Sequence, residues 1–211
     1  MFFFLKLVSL IGCKMFGIFL DSETNGLNPK IHKILEIAYK IVDLSSGELK
    51  ESYQAIVLQP EEMWAKSDPF SLKINGFTLD LLKKKGILEK KSAEEIIASF
   101  QKMHIDRKNA IFICQNPSFD RSFFSQLIDA DLQEKLFWPY HWLDLASMFW
   151  ALQMDKAQKN HKEKFPWDIG LSKDQIAAFY HLPKENLPHR AMNGVDHLLS
   201  CYQTLVGFPI K

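Results

Sequence analysis

The sequence predicts an α/β fold in which a central mixed β-sheet is flanked by helices. Two observations predict it. Three strand-like runs joined by short turns open the chain, and from residue 78 onward helical patterns alternate with short apolar runs. Strands joined directly by turns pair antiparallel, whereas a strand reached through a helix pairs parallel, so one sheet holds both kinds of pairing.

Each element has its own signal. Residues 16–21 (FGIFLD) are an apolar run ending in an acid. Residues 34–42 (ILEIAYKIV) and 52–58 (SYQAIVL) are rich in β-branched and aromatic residues, and Asn25-Gly26 and Ser46-Gly47 mark turns between the runs. Residues 78–85 form a short amphipathic stretch with Thr78 as N-cap. Residues 92–104 (SAEEIIASFQKMH) carry an apolar stripe at Ile96, Ile97 and Phe100, and Ser92 with Glu95 has capping-box spacing. Residues 110–114 (AIFIC) are wholly apolar and short, as a buried strand is. Helices are predicted over 120–129, over 142–154 after a short strand, over 172–180 with Ser172 as cap, and from about Asn193 to Val206.

Composition narrows the class. The chain has 211 residues, 47% hydrophobic, which suits one globular domain over residues 16–211. Its net charge of +1 excludes a binder that holds nucleic acid by bulk charge, so such contacts must be local. Three cysteines (Cys13, Cys114, Cys201) without CxxC spacing point to neither a disulfide framework nor a zinc site, and to a reducing cytoplasm. The apolar run from Met1 to Cys13 is too short to cross a bilayer and places its lysine in mid-run, unlike a signal peptide. Residues 1–15 therefore read as an extension, with Met15 the expected start and no membrane partner.

The chemistry-bearing residues come in three strings. Asp21 and Glu23 close the first run, and alternate residues of a strand share a face, so both carboxylates aim at one point. Two such anions repel, and a divalent cation resolves that cost. Asp120 opens a helix after the 110–114 strand and Asn116-Pro117. His189 follows Pro188 in a loop, where an imidazole suits proton transfer near neutrality, and Asp196 lies in the opening turn of the last helix. Taken singly, each acid is explained as well by a turn or by a helix N-terminus.

Together the strings resemble the DEDD superfamily of 3′→5′ exonucleases, in its histidine-containing (DEDDh) branch. Asp21 to Leu27 is similar to the first motif, Asn116, Phe119 and Asp120 to the second, and His189 with a following aspartate to the third. Ile74 to Thr78 (INGFT) and Asp144-Leu145-Ala146 look like family segments that precede helices. The resemblance implies a ribonuclease H-like exonuclease fold and two Mg²⁺ or Mn²⁺ ions held by Asp21, Glu23, Asp120 and Asp196. It implies His189 as general base, and removal of nucleoside 5′-monophosphates from the 3′ end of a single strand, with DNA favoured over RNA. It also suggests a polymerase or a second copy of the chain as partner. Thr24, Leu27, Phe77 and Asn116 are the expected substrate contacts, with Lys30, Lys33 and Arg190 near phosphates.

One departure bears on activity. The family places four residues between the histidine and the last aspartate, whereas six (Arg190 to Val195) separate His189 from Asp196, and the shorter spacing falls on Gly194, which has no ligand atom. Within a continuous helix two extra residues turn a side chain by about 200°. Asp196 is therefore expected to serve only if the insertion lies before the helix, with Asn193 as N-cap. The rival reading is a catalytically inactive module that binds nucleic acid or a polymerase.

Overall fold

The computed structural model describes residues 14–209. The chain runs β1 (Phe16–Thr24), β2 (Ile34–Asp43), β3 (Glu48–Leu58), α1 (Glu61–Trp64), α2 (Pro69–Asn75), α3 (Leu79–Lys85), β4 (Ile87–Leu88) and α4 (Glu89–Lys102). It continues through β5 (Ala110–Cys114), α5 (Pro117–Leu127), α6 (Ala130–Lys135), β6 (Trp142–Asp144), α7 (Leu145–Lys159), α8 (Pro166–Ile169), α9 (Lys173–Phe179) and α10 (Ala191–Leu205). Of the N-terminal extension expected over residues 1–15, residues 1–13 lie outside those described.

The sheet is mixed and six-stranded, in the order β4-β3-β2-β1-β5-β6. The meander β1-β2-β3 is antiparallel, and β5 and β6 add in parallel beyond β1. Strand β1 thus lies inside the sheet and is covered on both faces. Ile18 and Leu20 join Phe100, Phe112, Phe123 and Phe124 in one core. Phe19, on the opposite face, joins Ile113, Phe149, Ile176, Leu198 and Tyr202 in another. This double burial explains the unbroken apolar run that opens β1. Each fully buried Phe or Leu contributes about 1.5–3 kcal/mol, so polar residues survive on this strand only where it ends.

Local signals for α3, β5 and α9 match what forms. The Thr78 side chain accepts from Leu81 N, and Ser172 with Gln175 makes a reciprocal capping box. Helix α5 begins at Pro117 and not at Asp120, Trp142–Asp144 belong to β6 and not to the helix that follows, and two predicted helix caps are corrected. Helix α4 begins at Glu89, so Ser92 caps nothing; it is buried inside the helix, with its Oγ 3.2 Å from Tyr53 Oη. Helix α10 begins at Ala191, with Arg190 at the N-cap position, so Asn193 lies within the helix. The Ala191 N–H is satisfied by Glu36 Oε2 at 2.8 Å, from a residue 155 positions away, and Glu36 is itself oriented by Gln54. No local pattern could announce that cap.

Candidate active site

Strand β1 remains paired with β2 through Glu23, which keeps Asp21 and Glu23 on a single face. Asp120 arrives from the other layer. It sits in the first turn of α5, just beyond the end of β5, and Ser22 Oγ donates to its Oδ1 at 2.7 Å. Asn116 makes this approach by taking a left-handed conformation (φ 56°), while its N–H donates to Asp144 Oδ1. Helices on both faces of the sheet therefore meet at the end of β1, around a cleft of about 320 Å³ lined by Asp21, Glu23, Asp120 and His189.

The carboxyl groups are costly as anions. Burial, and then the charge of Asp21, push the Glu23 carboxyl up to about 8. Burial raises Asp21 as well, with Lys173 opposing it. Asp120 is held well above the usual carboxylate range by burial and by Asp21, against the Ser22 hydrogen bond. Three acids that resist ionising together, all with hard oxygen donors, fit a divalent cation, which would let all three ionise. A second set overlaps the first: ligand atoms of Glu23, Glu185 and His189 lie within 4.8 Å of one another.

The His189 loop is fastened to the INGFT segment. His189 N–H donates to Ile74 O, the Arg190 guanidinium donates to Asn75 O at 2.9 Å, and the same group lies 4.2 Å from the centre of the Phe77 ring. Asn75 in turn donates to Thr24 O at the end of β1. The histidine side chain is about one-third exposed and faces Glu185, with Nδ1 4.0 Å from Oε1.

Asp196 does not join this group. With α10 already helical from Ala191, Gly194 is the residue that faces Asp21, and Asp196 is turned about 200° away. Its carboxylate pairs with Lys40 and is half exposed. The substrate contacts are also redistributed. Phe77 is buried beneath Arg190, where no base could stack on it, and Thr24 Oγ1 donates within the turn to Gly26 O. Leu27 is exposed at 74% in the turn after β1 and remains open to a ligand.

Two residues at the cleft carry no sequence signal, and a third, Gly194, carries one only as the residue at the family's aspartate position. The Lys173 ammonium lies 2.9 Å from Glu185 Oε2, 3.3 Å from Asp21 Oδ1 and 3.2 Å from Gly194 O. Burial works against its charge, yet Asp21 and Glu185 more than offset that and hold its pKa above the ordinary lysine value. Burial likewise opposes the Glu185 charge, and His197 and Lys173 overcome it, holding that carboxyl down at about 2. Gly194 is the third: a Cβ there would meet Asp21 Oδ2 at 2.2 Å. Its glycine at the ligand position is the one sequence signal that pointed to this part of the site.

A family model described as exonuclease (RNase T) matches residues 18–196. The chain belongs to this exonuclease family. Relatives of the exonuclease domain include a PolC-type DNA polymerase III of Thermotoga petrophila, 28% identical over half of this chain but only 7% of that protein. An oligoribonuclease of Buchnera aphidicola is 27% identical over 72% of this chain and 85% of its own length. Among solved structures, exonuclease I of E. coli in complex with an oligonucleotide superposes with a TM-score of 0.67 at 16% identity, covering 92% of this chain and 40% of the other. At that identity the likeness shows the fold, an exonuclease α/β sheet flanked by helices. No helix among the described residues is long and apolar enough to cross a membrane.

Proposed function

We propose that this protein is a metal-dependent 3′→5′ exonuclease acting on the end of a single-stranded nucleic acid, DNA in the first instance. The observation that carries the reading is the convergence of Asp21, Glu23 and Asp120, from two layers of the fold, beside His189 in one cleft. Asp21, Glu23 and Asp120 would hold a divalent Mg²⁺ or Mn²⁺ ion. When bound, such an ion lowers the pKa of a coordinated water and stabilises phosphate charge. The two ions implied by the family resemblance would find three of the four expected carboxylates here.

His189 accepts the proton of the attacking water. The water oxygen bonds to phosphorus, the bond from phosphorus to the 3′ oxygen breaks, and that oxygen takes up a proton from solvent. A nucleoside 5′-monophosphate leaves. The Arg190 latch onto Asn75 and Phe77 sets where the imidazole stands, and Leu27, exposed in the turn after β1, would meet the terminal base.

Two further readings each have an observation behind them. The oligoribonuclease relatives favour RNA ends. Gly194 in place of a ligand favours a strand-binding module without activity. One experiment separates all three: purified protein with labelled single-stranded DNA or RNA, in Mg²⁺, Mn²⁺ or EDTA. Metal-dependent shortening from the 3′ end of DNA is expected. Shortening of RNA alone supports the first alternative, and binding without shortening supports the second. Cleavage that persists in EDTA or begins at the 5′ end overturns the mechanism.

A further inference from the structure

We propose that the Lys173 ammonium is a built-in cation that takes the place of one divalent ion, so that this cleft accepts a single metal ion. The inference deepens the exonuclease reading and rests on it for the ion that remains.

Three features carry it. First, the ammonium has as many oxygen acceptors as it has hydrogens: Asp21 Oδ1, Glu185 Oε2 and Gly194 O, all within 3.3 Å. Only 12% of the side chain is exposed, and it is the sole lysine or arginine lining the cleft among the described residues. Second, a lysine in the first turn of a helix opposes the helix dipole. Lys173 is the first residue of α9, behind the Ser172 capping box, so its acidic partners and not the helix account for its position. Third, α10 leaves no room for a fourth side-chain ligand. At Gly194 the backbone itself lies against Asp21, and its carbonyl oxygen serves the lysine.

Mg²⁺ demands near-octahedral oxygens at about 2.0–2.1 Å, whereas an ammonium is satisfied by three acceptors near 3 Å. The pocket between Asp21, Glu185 and Gly194 meets the second requirement. Glu185 is thus a positioning residue: its carboxylate holds Lys173 against Asp21. Glu23 and Asp120, with the remaining coordination of Asp21, are left for one ion. An ammonium stabilises phosphate charge but does not activate a water. With one ion bound, His189 would accept the proton of the attacking water, and Lys173, its three hydrogens already engaged by Asp21, Glu185 and Gly194, would act on phosphate charge only through its electric field.

The test counts ions. Mn²⁺ titrated calorimetrically into the wild-type protein is expected to give one ion per chain, and Lys173→Met two. Two ions in the wild type, or one in both, overturns the proposal. Should Lys173→Met fail to fold, the ¹⁵Nζ resonance of Lys173 in wild-type protein saturated with Mg²⁺ decides. A slowly exchanging, ion-paired signal supports the proposal, and its replacement by a fast-exchanging solvated amine overturns it. The strand-shortening assay keeps the two readings apart. One bound ion without shortening removes the exonuclease reading alone, whereas shortening with two bound ions removes the lysine inference alone.

Discussion

The two sides of the cleft differ in how they are held. On the sheet side, Asp21 and Glu23 are fixed by the two-residue alternation of β1 and by its pairing with β2, and Asp120 by the Asn116 turn and Ser22. On the helix side, the geometry depends on where α10 starts, which Glu36 decides from β2, and on a lysine and a glutamate from segments between α8 and α10. Strand geometry tolerates little variation in phase, because a one-residue slip moves every side chain to the wrong face. A helix N-terminus can begin a residue or two earlier and swing its ligands by more than half a turn. An acid at the end of a buried strand is therefore a safer functional reading than one near a helix start.

The strongest test of that contrast is Asp21→Ala. Strand shortening should fall to background, a loss of at least about 10²–10³-fold if the carboxylate matters as much as one preorganised electrostatic group. Activity within tenfold of wild type would break the sheet-side assignment. Next comes His189→Ala, expected to lower kcat by about 10²-fold or more through loss of the general base, with Mn²⁺ affinity unchanged. A parallel loss of metal affinity would move the histidine from base to ligand, within its set with Glu23 and Glu185.

A milder effect concerns pH. The folded Glu23 carboxyl is raised to about 8 from an ordinary 4.5, so the stability it contributes is present below pH 4.5 and is lost as pH climbs through 8. In EDTA, the Tm should therefore fall across that window, and the slope should shrink in Glu23→Gln. Mg²⁺ should raise the Tm most at the upper end, where the acids are ionised. A Tm in EDTA independent of pH from 5 to 8 would show that the acids are not crowded as described. The smallest effect is expected for Asp196→Ala. Its ion pair with Lys40 is half exposed, worth about 0–1 kcal/mol, and activity should stay near wild type. Loss of activity there would restore Asp196 to the site and overturn the placement of α10.

Much of the fold was legible because its signals are local. The β1 run, the AIFIC strand and the Ser172 cap each carry their information within a few residues, and each forms as expected. The mis-set helix starts share a non-local cause. The capping-box spacing points to a cap at Ser92, but β4 pairs with β3 just before it and lets the helix begin at Glu89. The residue type at Asn193 suits a cap, but Glu36 ends the His189 loop earlier. Lys173 and Glu185 were invisible for a related reason. Their pairing is defined by tertiary contact, and neither residue type is unusual in a polar connection.

The joining of two layers at the end of β1 has a consequence for durability. Asp120 comes from a helix on one side of the sheet, and Gly194 and Lys173 lie on the other, with the acids of β1 between them. A cation held by Asp21, Glu23 and Asp120 would rivet two of these tiers, the sheet and α5, tying together chain segments about a hundred residues apart. Such an ion would bind only when the two tiers are closed, so its concentration would set how firmly they stay closed. Starving the protein of metal should therefore loosen α5 from the end of β1 well before the sheet melts, and the proposed activity would be lost while the chain is still folded.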